Sequence, residues 1–408
     1  MPVAPVQVPI STLPAFTPLM AGIVVRPRAR IFHGHDWVYS AEVLKTFGEP
    51  APGDVVSLKD GRDRLLGSAI YNPVSQIVAR RFSRQRQDLD LDFFVRRIQL
   101  AIQEREALGA GHPVGRVIWS ESDGLPGLIV DRYREHLVLQ TLTTGMDLRK
   151  PLILEALKRV LRPASVFERN DAPVRKAEGL PLVTGDLWGQ TPPDLQIELD
   201  AVSFRVDLRS GHKTGLYLDQ VENYRLVAAH AAGQTVLDCF SNQGAFALHC
   251  AKAGATRTVA VESNAELVHQ IRLNAAHNGV AVEALQANAF DYLSSAVDRK
   301  ETFDLIILDP PSFTKSRGSV ENAWRGYKEI HRRALQLLSP RGLLATFSCS
   351  HHVTREMFRE MLVDASVDAK RFVRVLRLLS QPLDHPILPH LPETEYLKGF
   401  LVQALPGR

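Results

Sequence analysis

The sequence predicts an α/β protein whose C-terminal part is a doubly wound parallel sheet. From about residue 230, short apolar runs alternate with helical stretches of about 10–15 residues, the pattern of a parallel sheet covered by helices. The clearest run is FDLIILDPPSF at residues 303–313, where a buried strand ends in Asp309 and two prolines. Open α/β sheets bind ligands at the carboxyl ends of their strands, and prolines stiffen the chain that leaves the strand. We therefore expect a ligand site around Asp309, although Asp-Pro-Pro by itself is also typical of an ordinary turn.

The composition is that of a soluble protein. At 408 residues the chain is long enough for two or three domains of roughly 100–200 residues each. It has three cysteines and no C-x-x-C pair, which argues against a disulfide framework and a zinc site. We therefore predict no metal and a reducing compartment, the cytoplasm. The formal net charge of +4 permits a nucleic-acid partner but does not require one.

The N-terminal residues 1–21 carry several prolines and lack the basic start of a signal peptide, so we expect a flexible extension. No stretch approaches the roughly 18 uninterrupted apolar residues of a membrane span, and no membrane association is predicted.

Residues 22–88 predict a small β-rich domain, in which short apolar runs are separated by Gly and Pro turns. Arg26, Arg28 and Arg30 alternate along the sequence. On one strand they would share a face and could contact phosphates, or they could form a solvated face.

Residues 89–200 predict a small α+β domain without obvious chemistry, which we expect to form a wall of the substrate cleft. One helix is predicted over 92–108, capped by Asp90 or Asp92, and another over 152–161, opened by Pro151. Strands are predicted at 166–169 and, as a pair, within 195–206.

Residues 201–408 hold the predicted parallel sheet. Its strands are predicted at 235–239, 258–261, 284–285, 305–308, 342–348 and 395–403, with helices over 244–253 and 265–278. The polar segment at 207–224, which precedes the sheet, could cover a ligand or form a hairpin turn.

The strand ends of this sheet predict a cofactor site that lacks a phosphate cradle. The first turn, VLDCFSNQGAF, has only Gly244 in its loop, so neither the G-x-G-x-x-G fingerprint nor a Walker lysine is present. Asp238 and Glu262 end the first two strands, and Asn288 with Ala289 follows the third. A carboxylate on the second strand suits a ribose diol, and an amide suits an adenine edge. Together these residues fit S-adenosylmethionine, although each alone also fits a structural role.

Cys349 follows a later strand, in TFSCS, and should therefore lie near Asp309 at the same sheet edge. A thiol and a carboxylate beside a methyl donor suit methylation of a pyrimidine at carbon 5. A thiolate that adds to carbon 6 makes carbon 5 enamine-like, and an acid can hydrogen-bond the ring as charge develops. His351 or His352 could supply a cation near the thiolate, or both could be solvated. Phe313 could stack on the base or fill the core.

Several motifs resemble one known family. FDLIILDPPSF, TFSCS, VLDCFSNQGAF, KTGLYLDQ and the C-terminal DHP and EYLKGF motifs are similar to those of the RlmI-type large-subunit (23S) ribosomal RNA cytosine-5 methyltransferases. The front segment RPRARIFHGHDWVYSAEV resembles a PUA domain, an RNA-binding β-barrel. The resemblance covers most of the chain. It implies a PUA-like domain at 22–88, a central α+β domain at 89–200 and a seven-stranded, Rossmann-like class I methyltransferase sheet at 201–408.

The resemblance also implies the site. Cys349 would be the nucleophile and Asp309 its carboxylate partner. The predicted cofactor contacts are Lys213, Tyr217, Asp238, Phe240, Ser241, Gly244, Glu262, Ser263, Asn288, Ala289 and Asp309. The predicted substrate contacts are Pro310, Pro311, Phe313, Arg26 and Arg28. The cofactor would be S-adenosylmethionine and the partner ribosomal RNA or a large-subunit precursor, and the resemblance leaves a homodimer open.

Alternatives to this reaction stay open from the sequence. Many RNA cytosine-5 methyltransferases of other families have a second cysteine just before the motif IV proline, where this chain has Asp309. The base that takes the carbon-5 proton is then a water or another side chain. Methylation of a guanine ring nitrogen, a non-catalytic RNA-binding assembly factor and methylation of a small molecule are the other functions that fit.

Overall fold

The computed structural model describes residues 21–209, 214–313, 320–350 and 352–406. The predicted flexible extension therefore lies outside the described residues, apart from Ala21. The chain divides into two compact units, one of Met1–Pro192 with Leu388–Leu391 and one of Pro193–Ile387 with Pro392–Arg408. No helix in the described ranges has the length and apolar character to cross a membrane.

The first unit contains a six-stranded, mainly antiparallel sheet with the order β2-β6-β5-β4-β1-β3. Its strands are β1 Gly22–Val25, β2 Trp37–Tyr39, β3 Val43–Phe47, β4 Val55–Lys59, β5 Leu65–Tyr71 and β6 Ile77–Ser83. Alternate residues such as Ile23, Val25, Val56 and Leu58 are fully buried and form one core cluster. Residues 22–83 therefore form a β-rich module around one core, and the short strands separated by turns match the sequence prediction.

The arginines near β1 do not share a strand face, which corrects one prediction. The strand ends at Val25, Pro27 interrupts it because proline cannot donate to a ladder, and Arg28 has a left-handed φ of 70°. Arg30 opens a 3-10 turn, with its guanidinium over the Tyr39 ring at 4.5 Å. The side chains of Arg26 and Arg28 are exposed, on a turn rather than on a strand.

A five-stranded sheet and four helices, of which α1 and α3 are the longest, complete the described part of the first unit. Its order is β11-β10-β9-β8-β7. The strands are β7 Val114–Trp119, β8 Leu128–Tyr133, β9 His136–Thr141, β10 Ser165–Asn170 and β11 Val183–Trp188. The helices are α1 Leu91–Ala107, α2 Thr144–Leu148, α3 Lys150–Leu161 and α4 Val174–Ala177. Asp90 caps α1 by accepting a hydrogen bond from the Phe93 amide at 2.7 Å, as the sequence allowed.

The second unit opens with a hairpin, β12 Leu195–Leu199 and β13 Val202–Val206. The domain boundary predicted between residues 200 and 201 falls in the turn of this hairpin, whereas the compact units divide between Pro192 and Pro193. Pairing across the turn holds both strands in one unit, from Leu195 with Val206 to Leu199 with Val202.

The predicted doubly wound sheet is confirmed and has seven strands in the order β16-β15-β14-β17-β18-β20-β19. Its strands are β14 Thr235–Cys239, β15 Arg257–Glu262, β16 Glu283–Gln286, β17 Phe303–Leu308, β18 Leu338–Ser348, β19 Val373–Ser380 and β20 Lys398–Ala404. The helices are α5 Val221–Ala228, α6 Ala245–Lys252, α7 Ala265–Asn278, α8 Ala289–Asp298, α9 Val320–Leu337 and α10 Arg355–Asp368. The strands β14 to β18 run parallel, and β20 lies antiparallel between β18 and β19.

The register of the parallel strands brings their carboxyl ends to one edge. Cys239 of β14 pairs with Val261 of β15 and Leu308 of β17, and Leu308 pairs with Thr346 of β18. The chain therefore leaves all four strands at the same level of the sheet. Glu262 at the end of β15 and the loops that carry Asp309 and Cys349 can therefore converge on one ligand.

Candidate active site

One cavity of about 510 Å³ lies at this edge of the second unit. Its wall includes the predicted site residues Tyr217, Phe240, Ser241, Glu262, Ser263, Asp309, Pro310, Pro311 and Cys349. The structure thus brings the predicted nucleophile, its carboxylate partner and most of the predicted cofactor contacts into one space. Lys213 and His351 lie outside the described residues.

The loop after β14 is held open by left-handed backbone. Phe240, Asn242 and Gly244 have φ values of 63°, 50° and 80°, and the first two are not glycine. A Cβ at Gly244 would stand 3.1 Å from Ile271, so this position also needs glycine for space. Left-handed backbone at non-glycine residues is uncommon and concentrates at functional sites. Here it turns Phe240 and Ser241 into the cavity wall.

Asp238 lies behind that wall rather than in it. Its carboxylate is buried and accepts hydrogen bonds from the Ser241 hydroxyl and from the Ala247 amide at 3.1 Å. It therefore ties the loop to the start of α6. Burial raises the pKa of Asp238 to about 7, although its two hydrogen bonds oppose the rise, and the charges of Asp309 and Glu262 add to it.

This shift predicts a pH dependence of stability. Between about pH 4 and 7 the folded chain binds a proton at Asp238 that the unfolded chain, with the ordinary pKa of 3.8, releases. The free energy of unfolding therefore falls as pH rises through that window, by at most about 1.4 kcal/mol per pH unit from this group. Denaturant unfolding of the cofactor-free protein at several pH values should show a smaller fall in Asp238→Asn. An equal fall in both proteins would contradict the assignment.

Glu262 joins the loops after β14 and β15. Its carboxylate accepts hydrogen bonds from the Asn242 amide at 2.9 Å and the Asn264 amide at 3.0 Å, and it lines the cavity. A carboxylate with each oxygen held by the backbone has a fixed direction. Because an ionised carboxylate can accept about four hydrogen bonds, it keeps capacity for a ligand diol.

Asn288 and Ala289 do not line the cavity. The Asn288 side chain is exposed and caps α8 by accepting a hydrogen bond from the Phe290 amide at 2.9 Å, while Ala289 is buried in the core. Their predicted cofactor contacts stay predictions. Phe313 has the contacts of a core residue, with its ring centroid 4.6 Å from that of Tyr327 and 5.9 Å from that of Phe290.

Asp309 is positioned by a chain of amides that sequence reasoning missed. The buried Gln220 donates from Nε2 to Asp309 Oδ2 at 3.0 Å. Asn223 in turn donates to Gln220 Oε1 at 2.6 Å and to the Ser380 carbonyl at 2.9 Å. These amides fix the carboxylate from one side while Pro310 and Pro311 stiffen the backbone after it. The sequence did offer a signal, because Gln220 is the last residue of the KTGLYLDQ motif and Asn223 follows three residues later.

The serines beside Cys349 anchor its loop. Ser348 donates to the Tyr327 hydroxyl at 3.1 Å, and Ser350 bonds to the same hydroxyl at 3.0 Å and to Ser312 at 2.9 Å. The bond between Ser312 and Ser350 connects the Asp-Pro-Pro loop to the cysteine loop. With its neighbours fastened, the half-buried Cys349 lies in the cavity wall.

The other charged and phenolic groups set the electrostatics of the cavity. Burial, followed by the charge of Asp309, raises the pKa of Tyr217, so its phenol stays a neutral donor. Lys398, missed by sequence reasoning, is buried and donates from Nζ to the Ser350 carbonyl at 2.8 Å. Among the described residues of the cavity wall none is basic, whereas Asp219, Glu262 and Asp309 are acidic.

Comparison with known proteins identifies the family. Residues 184–393 match the family described as S-adenosylmethionine-dependent methyltransferase, and residues 26–84 match a PUA-like domain. Ribosomal RNA large subunit methyltransferase I of Aeromonas salmonicida is 39% identical over 377 residues, which cover 91% of this chain and 95% of that protein. The protein of the same name from Erwinia tasmaniensis is 38% identical over 378 residues, which cover 91% of this chain and 96% of that protein. The chain belongs to this methyltransferase family.

Solved structures show the same fold. The crystal structure of SMU.776 in complex with SAH has a TM-score of 0.81 and is 23% identical, covering 94% of this chain and 99% of that one. A Streptococcus mutans structure described as a SAM-dependent methyltransferase has a TM-score of 0.79 with the same coverage. The PUA-like front domain and the methyltransferase sheet predicted from the sequence are therefore confirmed.

The cofactor of this methyltransferase is S-adenosylmethionine, and the cavity fits it. An acidic wall suits a ligand that carries a sulfonium and an ammonium. Glu262, Tyr217 and Phe240 lie in the cavity wall, and their contacts with the cofactor stay predictions.

Exchange of Glu262 for glutamine is expected to weaken binding of S-adenosylmethionine. A charge-assisted hydrogen bond contributes roughly 1.5–3 kcal/mol, so the dissociation constant should rise about 10- to 100-fold in isothermal titration. Glu360→Gln is the matched control, because Glu360 is exposed on α10 and outside the cavity wall. Equal affinity of the Glu262 variant and the control would remove Glu262 from the binding site.

Proposed function

We propose that this chain methylates carbon 5 of a cytosine in large-subunit (23S) ribosomal RNA through a covalent adduct of Cys349. The relatives are named for the large ribosomal subunit RNA, which supplies the substrate class. The observation that carries the chemistry is the position of Cys349 and Asp309, on the ends of neighbouring strands and in the wall of one cavity. A nucleophilic thiol in a methyltransferase pocket is needed for a carbon target and not for a ring nitrogen.

The proposed reaction begins with the Cys349 thiolate, which forms a bond to carbon 6 as the electrons of the carbon 5–carbon 6 double bond move toward carbon 5 and the ring nitrogen. Asp309 hydrogen-bonds the pyrimidine edge where charge develops, held in place by Gln220. Bound S-adenosylmethionine supplies the electrophilic methyl group. A base then takes the carbon-5 proton, the double bond re-forms and the thiolate leaves. The base is a water or another side chain.

The target base has to enter this cavity from outside a stack, so an unpaired or flipped cytosine is the expected substrate. Pro310 and Pro311 would contact the base, and the core contacts of Phe313 favour a supporting role beneath the loop. The exposed Arg26 and Arg28 would contact backbone phosphates, which predicts binding that weakens with salt. We place the protein in the cytoplasm, where ribosomal RNA is modified; the comparisons do not support the homodimer that the sequence left open.

Mass spectrometry of ribosomal RNA from a deletion strain tests this function. One 5-methylcytosine of the large subunit should disappear and return with the wild-type gene but not with Cys349→Ala. Loss of a methylated guanine instead, or recovery with the cysteine variant, would contradict the covalent mechanism. Methylation of a small molecule without any change in ribosomal RNA would contradict the substrate class.

A further inference from the structure

Lys398 is buried directly behind the loop that carries Cys349. It begins β20, where its Cα pairs with Ser348 of β18 on one side and Ser380 of β19 on the other. Its side chain is only 3% exposed, and Nζ donates to the carbonyl of Ser350 at 2.8 Å. The ammonium is therefore attached to the backbone of the residue that follows Cys349.

Burial of a lysine ammonium costs free energy unless a hydrogen-bond partner or an opposite charge compensates for the lost water. Burial lowers the pKa of Lys398 to about 8, and the negative charge of Cys349 is the largest influence that raises it. Glu395 also raises the pKa and Arg355 lowers it, but these two are engaged with each other in an ion pair at 2.8 Å. Lys398 is thus a positive charge held against the loop that carries Cys349. Its sign is opposite to that of the acidic Asp309, which lines the same cavity as Cys349 and disfavours a thiolate there.

We propose that Lys398 is a positioning residue that keeps Cys349 in the thiolate form before the cytosine arrives. The proposal rests on the proposed function, since only a covalent mechanism needs the thiolate. The thiol proton passes to water in the cavity, and the ammonium keeps its own protons. The same charge stabilises the thiolate again when it leaves carbon 6, so both bond formation and bond cleavage benefit. Lys398 is not in the cavity wall, and we therefore do not assign it the carbon-5 proton.

Alkylation of Cys349 by iodoacetamide as a function of pH tests this inference without RNA or cofactor. Cys239 and Cys250 are fully buried, so modification followed by peptide mass spectrometry reports on Cys349. In the wild-type protein the rate should rise with an inflection below the ordinary thiol value of about 8.5. An inflection at or above that value in the wild-type protein would overturn the proposal, whatever the variants do.

Three variants separate charge from hydrogen bonding. Lys398→Gln keeps a donor for the Ser350 carbonyl but has no charge, Lys398→Met has neither, and Lys398→Arg restores the charge. We expect the glutamine and methionine variants to move the inflection upward and to slow alkylation at pH 7 by about tenfold, and the arginine variant to recover part of the rate. Equal profiles in the wild-type and glutamine proteins would overturn the proposal. Methylation by Cys349→Ala would instead overturn the proposed function, so the two failures are distinguishable.

A groove on the first unit carries a second, independent inference. It has a volume of about 380 Å³ and is lined by Ser83, Arg84, Gln85, Gln87, Phe93, Arg96, Arg97 and Leu100. Among the described residues, Arg84, Arg96 and Arg97 have no ion pair with a carboxylate, whereas Arg80, Arg81, Arg105 and Arg116 of the same unit all do. Arg97 is oriented by a bond to the Phe82 carbonyl at 3.4 Å and by the Phe93 ring.

We infer that this groove binds the phosphodiester backbone of the RNA. Three arginines in a concave surface with no acidic wall residue are complementary to phosphates, and glutamines and a serine add donors. The inference rests on the proposed function for its choice of an RNA partner. It differs from the predicted Arg26 and Arg28 contacts, which lie on the turn after β1.

Charge reversal tests the groove. Arg84→Glu with Arg96→Glu should weaken RNA binding and lower the slope of log affinity against log salt by about 1 to 2, because each lost phosphate contact removes roughly 0.7–0.9. Arg374→Glu with Arg377→Glu, at two exposed arginines of β19, changes the net charge by the same amount and is the control. An unchanged slope, or binding of an acidic peptide in place of RNA, would overturn the assignment. Loss of RNA binding by the control as well would point to net charge rather than the groove.

Discussion

Cys349→Ala should lose methyl transfer to ribosomal RNA by on the order of 10⁴-fold or more, as expected when a covalent nucleophile is removed. Without a thiolate at carbon 6, carbon 5 of cytosine is too weak a nucleophile to attack a sulfonium methyl. The half-buried thiol lies in the cavity wall, and its loop is fastened through Ser348 and Ser350, so alanine should leave the surrounding structure in place. Incorporation of a labelled methyl group into RNA measures the effect.

Binding of S-adenosylmethionine is the control for this variant. Its affinity should stay within about twofold of the wild type, since the methyl of alanine replaces one wall atom. RNA that contains 5-fluorocytosine should trap a covalent complex with the wild-type protein and none with the variant. Activity retained within tenfold, or a trapped complex on the variant, would rule out Cys349 as the nucleophile.

Asp309→Asn should lower the rate of methylation by roughly 10²- to 10³-fold, the usual loss when one preorganised electrostatic or acid-base contact is removed. Asparagine has the same shape and can still accept the hydrogen bond from Gln220, so the loop should keep its position. The change removes the acid that would hydrogen-bond the ring nitrogen as negative charge develops on it. Single-turnover rates with saturating cofactor and RNA separate this loss from weaker binding.

Asp291→Asn is the matched control for Asp309, because Asp291 is exposed on α8 and outside the cavity wall. It should have wild-type rates. A rate for Asp309→Asn that is also close to the wild type would leave the carboxylate with a structural role only. A loss confined to cofactor affinity would reassign Asp309 to the cofactor.

Local sequence patterns were enough to predict the frame of the site. The site at the end of β17 could be predicted because its features lie within a few consecutive residues. These are an apolar strand, an aspartate at its end and two prolines after it. The same holds for the ends of β14 and β15, where Ser241 and Glu262 line the cavity as predicted. Parallel topology then brings these ends to one edge without further information.

Contacts between distant segments were not predictable in the same way. Gln220 contacts Asp309 across 89 residues and Lys398 contacts Ser350 across 48. All four residues lie in motifs noted in the sequence, but the motifs do not show which of them contact each other. Asn288 was predicted to contact the ligand, but its side chain instead caps its own helix, as short polar side chains often do. Pro27 in the same way broke the strand on which the arginines were expected to alternate.

The place of β20 in the sheet sets an order of events during synthesis. This strand lies between β18 and β19, although both precede it in the chain. Until residues 398–404 have left the ribosome, the strand that precedes Cys349 has an open edge, and Lys398 cannot reach the loop that follows it. The strand β18 therefore gains this neighbour only after β19 has been synthesised. A nascent chain would have the cofactor loops first, and it would acquire the surroundings of its reactive thiol only when β20 inserts.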